Sequence, residues 1–342
     1  MGNSEKKSII VSNEYFSVLD QIKEYIVNTQ YKVLTVANTE RNILYWKIGN
    51  VISEHSVWGN KFVETLSNDL RTEYPGTRGY SVRNLNYMRQ FAQRIPSEDI
   101  LHQVGAKINW KSIKALIDKT KTTDEYVWYA EQCLKNGWSS AVLVHQIESG
   151  LYKRQALAIK TTNFKERLLA PLGEQAEEII KDPYVFDFLP NAQEMKETEL
   201  EQALVQQVMA LLLEFGSGFA FMGNQYPIVV GEREFFIDML FYNVKMHCFF
   251  VVELKTVDFE PEFAGKLAFY LSAVDGEFKS EQDNPTMGLL LCKGKDRMVA
   301  EYALQDINKP MGISEYRLSS EMTDELLESL PSIEEIEKRI TL

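Results

Sequence analysis

The chain has 342 residues, 45% apolar and 25% charged, the proportions of a folded chain with room for two cores rather than a disordered one. No stretch of about eighteen uncharged apolar residues occurs to span a bilayer, and Cys133, Cys248 and Cys292 are scattered among only four histidines, which argues against a disulfide framework or a structural zinc site. The net charge of −12 argues at first against nucleic acid, but it is uneven: residues 1–160 hold 21 Lys and Arg against 16 Asp and Glu (+5), and the remainder 16 against 33 (−17).

Residues Met1 to Lys7 lack the apolar segment of a signal peptide, so a cytoplasmic protein is expected. From Tyr15 to about His55 apolar residues recur at three and four (Leu19, Ile22, Ile26, then Leu34, Ala37, Leu44, Ile48, Ile52), which predicts amphipathic helix with Tyr45, Trp46 and Ile48 in a core. Trp58 to Tyr74 reads as a further helix closed by Pro75-Gly76, and Ser81 is placed to cap another from Val82 to about Arg94. Leu66, Leu70, Leu85, Met88 and Phe91 would face inward. The outer face would carry Arg71, Arg78, Arg83, Asn84, Tyr87, Arg89 and Arg94, with no acid between Tyr74 and Pro96. Such a helix-turn-helix can place its second helix in a major groove; the competing reading is the solvated face of a helical hairpin.

Trp110 to Ile117, Asp124 to Asn136 (capped by Thr123, stopped by Gly137) and a segment from Ser139 to Gly150 predict short helices. Periodicity then fades and acids accumulate, so domains are expected over 1–155 and 156–342. In the second, Glu199 to Glu214 reads as a helix between Thr198 and Gly216, and Phe219 to Val230 as a first strand or bent pair. Glu232 to Tyr242 and Cys248 to Lys255, joined through Asn243 to His247, predict a β-hairpin. Pro261 would open a helix through Ala273. Leu289–Cys292 and Ile313–Leu318 predict further strands, and Ser332–Ile340 a surface helix. Together these predict an α/β (mixed) chain, an all-helical domain followed by a central mixed sheet flanked by helices.

The hairpin holds the chemistry. Glu253 and Lys255 share a strand face, and Asp238 lies on the partner strand, so three charges sit among apolar residues. Buried charges need compensation. Two carboxylates suit a divalent cation, while a simple ion pair of Glu253 with Lys255 is the alternative. Glu201 can cap its helix with Thr198, or it can face the same site.

Ile237-Asp238, fourteen residues, then Glu253-Leu254-Lys255 resembles the signature of the PD-(D/E)XK nucleases. The segment Asp258 to Ala273 with Met287-Gly-Leu-Leu-Leu-Cys292, and the N-terminal stretches Trp58-Gly59, Leu66 to Leu70, Tyr80 to Leu85, Tyr87 to Phe91 and Asn136 to Ser139, resemble the bacterial YhcG family. That resemblance implies a restriction-endonuclease-like domain and a Mg²⁺-dependent endonuclease hydrolysing DNA phosphodiesters, with Mn²⁺ able to substitute. Asp238 and Glu253 would hold the metal, Lys255 would assist the attacking water, and an acid of the first helix, Glu201, would join them. Gln225 lies where the family has a glutamine. Lys266 and Tyr270 occupy the positions of a Gln-x-x-x-Tyr pair near the substrate backbone, with lysine in place of glutamine. DNA, double-stranded or branched, is the expected partner, contacted also by Arg78, Arg83, Asn84, Tyr87 and Arg89; no membrane is expected, and a homo-oligomer is. Two other functions fit the same sequence: an inactive DNA-binding or assembly protein on a nuclease fold, and an RNA-cleaving nuclease.

Overall fold

A 42-residue helix, α1 (Asn13–Glu54), is followed by α2 (Asn60–Glu73), α3 (Val82–Arg94), α4 (Trp110–Lys119), α5 (Thr123–Asn136) and α6 (Ser140–Glu148). The computed structural model describes residues 13–55, 60–102, 107–189 and 195–318, and two compact units divide the chain at Val144 and His145. Trp58, Gly59 and the Ser332–Ile340 helix lie outside the described residues. Among the described residues no helix is long and apolar enough to cross a membrane.

In the first unit Tyr45 and Ile52 of α1 meet Val63 of α2 and Leu85 and Met88 of α3, and Leu66 and Leu70 pack against them. The inward face foreseen for α2 and α3 is the one they bury, whereas on α1 Ile22, Ala37 and Leu44 of the foreseen apolar face are exposed and the buried side runs through Tyr45, Gly49 and Ile52, the side that meets α3. Ser81 caps α3, its Oγ accepting from Asn84 N at 3.3 Å. Thr122 rather than Thr123 caps α5, its Oγ1 accepting from Glu125 N at 3.2 Å, and Gly137 ends that helix at φ 64°, which glycine adopts without a side-chain clash. Arg94 does not join the outer face. Its Nη1 donates to the carbonyls of Thr120 (3.0 Å) and Thr122 (3.2 Å), tying α3 to the turn before α5.

The second unit carries short elements that the fading periodicity did not reveal: a π-helical turn (Tyr152–Leu157), β1 (Thr161–Thr162), α7 (Phe164–Arg167), α8 (Leu172–Ile179) and β2 (Tyr184–Phe186). The expected single helix over 199–214 is two, α9 (Glu197–Gln206) and α10 (Val208–Phe215), broken where Gln207 takes φ −105° and ψ 35°. Then come β3 (Phe219–Val230), β4 (Arg233–Asn243), β5 (Cys248–Leu254), α11 (Pro261–Glu277), β6 (Met287–Cys292), α12 (Arg297–Gln305) and β7 (Met311–Leu318). Helix α12 is a further element missing from the sequence reading.

The strands form one mixed sheet in the order β1-β7-β6-β5-β4-β3, with β2 also along β7. The β3–β4 and β4–β5 pairs are antiparallel; β5–β6 and β6–β7 are parallel. Side chains alternate between two cores. Phe250, Val252 and Leu289 pack with Leu200, Leu204 and Phe215 of α9 and α10, whereas Val251 and Leu290 pack with Leu267, Leu271 and Ala300 of α11 and α12. A strand covered on both faces reads as an unbroken apolar run, which is how Cys248 to Val252 reads. The architecture is the mixed α/β sheet flanked by helices that was expected.

Gly49 is where α1 comes closest to α3: a Cβ there would lie 2.0 Å from Met88 O and 2.9 Å from Ala92 Cβ. Gly49→Ala should therefore force the two helices apart and destabilise the protein by about 1–3 kcal/mol or more. Gly276 in α11 is exposed with nothing within 4 Å of its Cβ direction, so Gly276→Ala should instead stabilise by about 0.5–1 kcal/mol. Thermal melts of the two variants, shifted in opposite directions, check both.

Candidate active site

The site begins where the hairpin strands part. Their pairing runs from Asn243↔Cys248 to Met239↔Val252, and beyond it the Leu254 amide donates to Asp238 Oδ2 at 3.0 Å, so the carboxylate takes over from the missing ladder partner. Ile237 and Leu240, which strict alternation would send to opposite faces, pack in the same core, so the alternation slips at Asp238. Opposite Asp238 on β3 is Gln225, held at φ 41° in the left-handed region where only glycine is free of strain.

Three carboxylates meet at this point. Oxygens of Glu197, Asp238 and Glu253 all lie within 4.8 Å of one another. Glu253 is fully buried; its Oε1 accepts from Lys255 Nζ at 3.0 Å and from Lys266 Nζ of α11. Its Oε2 is buried with no hydrogen-bond partner. Lys255 Nζ also reaches Glu197 Oε1 at 2.7 Å and the Leu254 carbonyl at 2.8 Å. A partnerless buried carboxylate oxygen beside two more carboxylates is a donor set that fits a hard divalent cation. The ion pair of Glu253 with Lys255 is formed as well, so both sequence readings of these residues describe the same place.

Burial raises the Asp238 pKa, the Glu253 charge raises it further, and the Leu254 amide with Lys255 and Lys266 only partly offsets them, leaving it at about 7. For Lys255 burial acts to lower the pKa, but Glu253, Glu197 and Asp238 outweigh it and the pKa is raised. Lys255 therefore stays an ammonium and acts as a fixed positive charge rather than as a base.

Glu201 does not cap its helix. The helix starts earlier than foreseen, Thr198 lies inside it, and Glu199 Oε2 accepts from the Lys196 amide at 3.0 Å in the capping role. Glu201 is buried and braces the β3 kink, its Oε1 accepting from Asn224 Nδ2 at 3.2 Å and its Oε2 from Gln225 Nε2 at 2.6 Å. Gln225 Nε2 also lies 3.4 Å from Asp238 Oδ1. The acid from this helix within the carboxylate group is Glu197, one turn before Glu201 on the same face. Sequence reasoning missed it because the helix was started at Glu199; the i, i+4 spacing to Glu201 was the available signal. Tyr270 is buried on α11, its ring 5.3 Å from Lys266 Nζ. Asp238, Glu253, Lys255, Glu201, Gln225, Lys266 and Tyr270 are thus one cluster.

The other expected residues gather on α3 and the turn before it. Arg78 and Arg83 are exposed and Arg89 is half-buried. The Arg83 guanidinium and Lys114 Nζ lie 5.8 and 5.6 Å from the Tyr87 ring, whose hydroxyl donates to Asp118 Oδ2 at 2.8 Å. Asn84 holds the turn, Nδ2 donating to Gly79 O at 2.6 Å and Oδ1 accepting from Trp110 Nε1 at 2.8 Å.

Residues 177–331 match the family described as YhcG PDDEXK nuclease domain, and residues 21–154 the family described as DUF1016 N-terminal domain. The chain is 27% identical over 362 aligned residues to "Putative nuclease YhcG" of Escherichia coli (strain K12), spanning 94% of this chain and 96% of that one. Among solved structures it resembles "crystal structure of a repair endonuclease from Pyrococcus abyssi" (17% identity, 36% of this chain, 47% of that chain, TM-score 0.25) and "Structure of EndoMS-dsDNA2 complex" (16% identity, 38% of this chain, 48% of that chain, TM-score 0.26). It spans about half the length of each of these two.

The Asp238 pKa sets a sign for stability. The folded state holds a proton on Asp238 up to about pH 7, whereas the unfolded chain releases it near the ordinary value of 3.8. The folded state binds the extra proton between these values, so metal-free stability falls as pH rises from about 4 to 7 and is lowest above 7. Asp238→Asn removes this loss: with chelator present it should melt above the unmodified protein at pH 8 and level with it at pH 4. Equal melting at pH 8 would show that the Asp238 charge is already compensated.

Proposed function

We propose that this chain, which belongs to the YhcG family of PDDEXK nucleases, is a metal-dependent endonuclease that hydrolyses DNA phosphodiester bonds. The observation that carries the reading is the group of Glu197, Asp238 and Glu253 with Lys255 Nζ bound to two of them. These three acids would hold Mg²⁺, or Mn²⁺ in its place, through oxygens suited to hard cations. When bound, the ion supplies Lewis acidity toward a phosphoryl oxygen and lowers the pKa of a water.

The chain's own groups do the rest. Lys255, kept protonated, presents a positive charge where negative charge grows on the phosphoryl group, and the buried surroundings strengthen that interaction. Lys266, 46% exposed in its side chain, is the cation placed to meet a backbone phosphate. Glu201 acts on Asp238 through Gln225 as a positioning residue. On the first unit, Arg78, Arg83 and Arg89 would bind phosphates of duplex or branched DNA. Asn84 and Tyr87, each already hydrogen-bonded within the unit, would hold that face in shape. A homo-oligomer belongs to the same reading.

Incubation of the pure protein with duplex, branched and single-stranded DNA and with RNA, with and without Mg²⁺, tests it. Glu197→Gln, Asp238→Asn, Glu253→Gln and Lys255→Ala should each lower Mg²⁺-dependent DNA cleavage by about 10²-fold or more with the fold retained. Full activity in any one removes that residue from the mechanism. Glu201→Gln should keep the metal affinity and lose part of the rate. Cleavage of RNA in preference to DNA would replace the substrate.

Binding has its own readout. In Ca²⁺, which suppresses cutting, affinity for duplex DNA should fall with salt at a log-log slope of about −0.9 per phosphate contacted. Arg83→Ala/Arg89→Ala should flatten that slope by about two contacts. An unchanged slope would assign the face to solvent.

A further inference from the structure

Among the described side chains of α1, five exposed apolar residues lie in a line, with exposed Tyr25 and Ala37 at its two edges. At about 100° per residue, Ile22, Val33, Val36, Leu44 and Val51 fall within an arc of about 80° that runs about 44 Å along the helix, and each is between 46% and 62% exposed. Thr29, Glu40, Lys47 and Glu54, also exposed, fall in the same arc. Among the described side chains of this helix the buried residues, Asn42, Tyr45, Gly49 and Ile52, lie on the opposite side, where α3 packs. The helix thus has two apolar faces, one of which builds the core of the unit. The other has no part in that core, and an exposed apolar stripe of this length marks an interaction surface.

The order of residues in the stripe says what covers it. About a point between Ile43 and Leu44, Val36 mirrors Val51 and Glu40 mirrors Lys47, with Leu44 beside the centre. A two-fold axis through that point places a second, antiparallel α1 so that Glu40 meets the partner's Lys47 and Val36 the partner's Val51 on both sides of the centre. This gives the segment from Val36 to Val51 the self-complementarity of an isologous interface, while Val33 falls opposite the partner's Glu54 and Ile22 beyond the end of the partner helix. Glu40 and Lys47 are two turns apart, too far to pair with each other along one helix. We propose that a second copy of this chain docks antiparallel along this face of α1, Val36 against the partner's Val51 and Glu40 against the partner's Lys47. This rests on self-association and not on cleavage, so a failed nuclease assay leaves it standing and a failed mass measurement leaves the nuclease reading standing.

Sedimentation velocity and light scattering of the full chain over a hundredfold range of concentration read the association. A dimer is expected. Glu40→Lys and Lys47→Glu should each weaken it about tenfold or more, and Glu40→Lys/Lys47→Glu should bring it back to within about threefold of the original. Circular dichroism at each step shows that these exposed changes leave the helices intact. Leu44→Cys should form a disulfide-linked dimer on mild oxidation, because the two copies meet near that position. A monomer at every concentration, a dimer indifferent to either single reversal, or a double reversal no tighter than the singles would overturn the proposal.

Discussion

The second unit depends on burying carboxylates in its apolar sheet. Glu253 has no exposed surface and Asp238 very little, and an isolated buried charge costs several kcal/mol at the least. The fold meets this with positive charge from two directions, Lys255 from the same strand end and Lys266 from α11. Both lysines depend on how β5 continues: Lys255 follows immediately, and the loop that opens α11 at Pro261 brings Lys266 back over the sheet. The carboxylates thus fix where α11 must begin and which of its faces turns inward.

The same cost explains the irregularities around the site. Regular pairing of β4 with β5 would satisfy the backbone but leave Asp238 without a donor, whereas the early parting of the strands gives its carboxylate the Leu254 amide. On the other side, Gln225 reaches Asp238 only because β3 is bent at a left-handed residue. Such a conformation costs about 1–3 kcal/mol, and the two oxygens of buried Glu201 on Asn224 and Gln225 hold it in place. Strained β3, buried Glu201 and displaced alternation at Asp238 are one adjustment seen from three elements.

The fold was legible where periodicity and end signals agree. The hairpin limits, the Ser81 cap, the Gly137 stop and the Pro261 start all follow from single residues acting locally. Elements of two to four residues, such as β1 and β2, carry too few residues for any period and exist because β7 offers an edge to pair with. The site was legible as Asp238, Glu253 and Lys255 because charges in an apolar strand stand out. Glu197 did not, since it sits among other acids at a helix start, Glu199 and Glu201, where acids are common for capping and dipole reasons. Only the position of Lys255 Nζ, on Glu197 and Glu253 together, distinguishes it.

The lysine at position 266 fits the charge count of the proposed reaction. Fully ionised, Glu197, Asp238 and Glu253 carry three negative charges, and Lys255 and Lys266 return two. One negative charge remains, concentrated at the pair whose mutual repulsion contributes to the raised Asp238 pKa. A divalent cation at these oxygens would turn the balance to one positive charge, which matches one phosphodiester. With a neutral glutamine at 266 the same site would start one charge more negative and end neutral. In the proposed reaction Lys266 would thus shift the site toward holding an anionic backbone, and its contact with Glu253 holds its ammonium at the carboxylates.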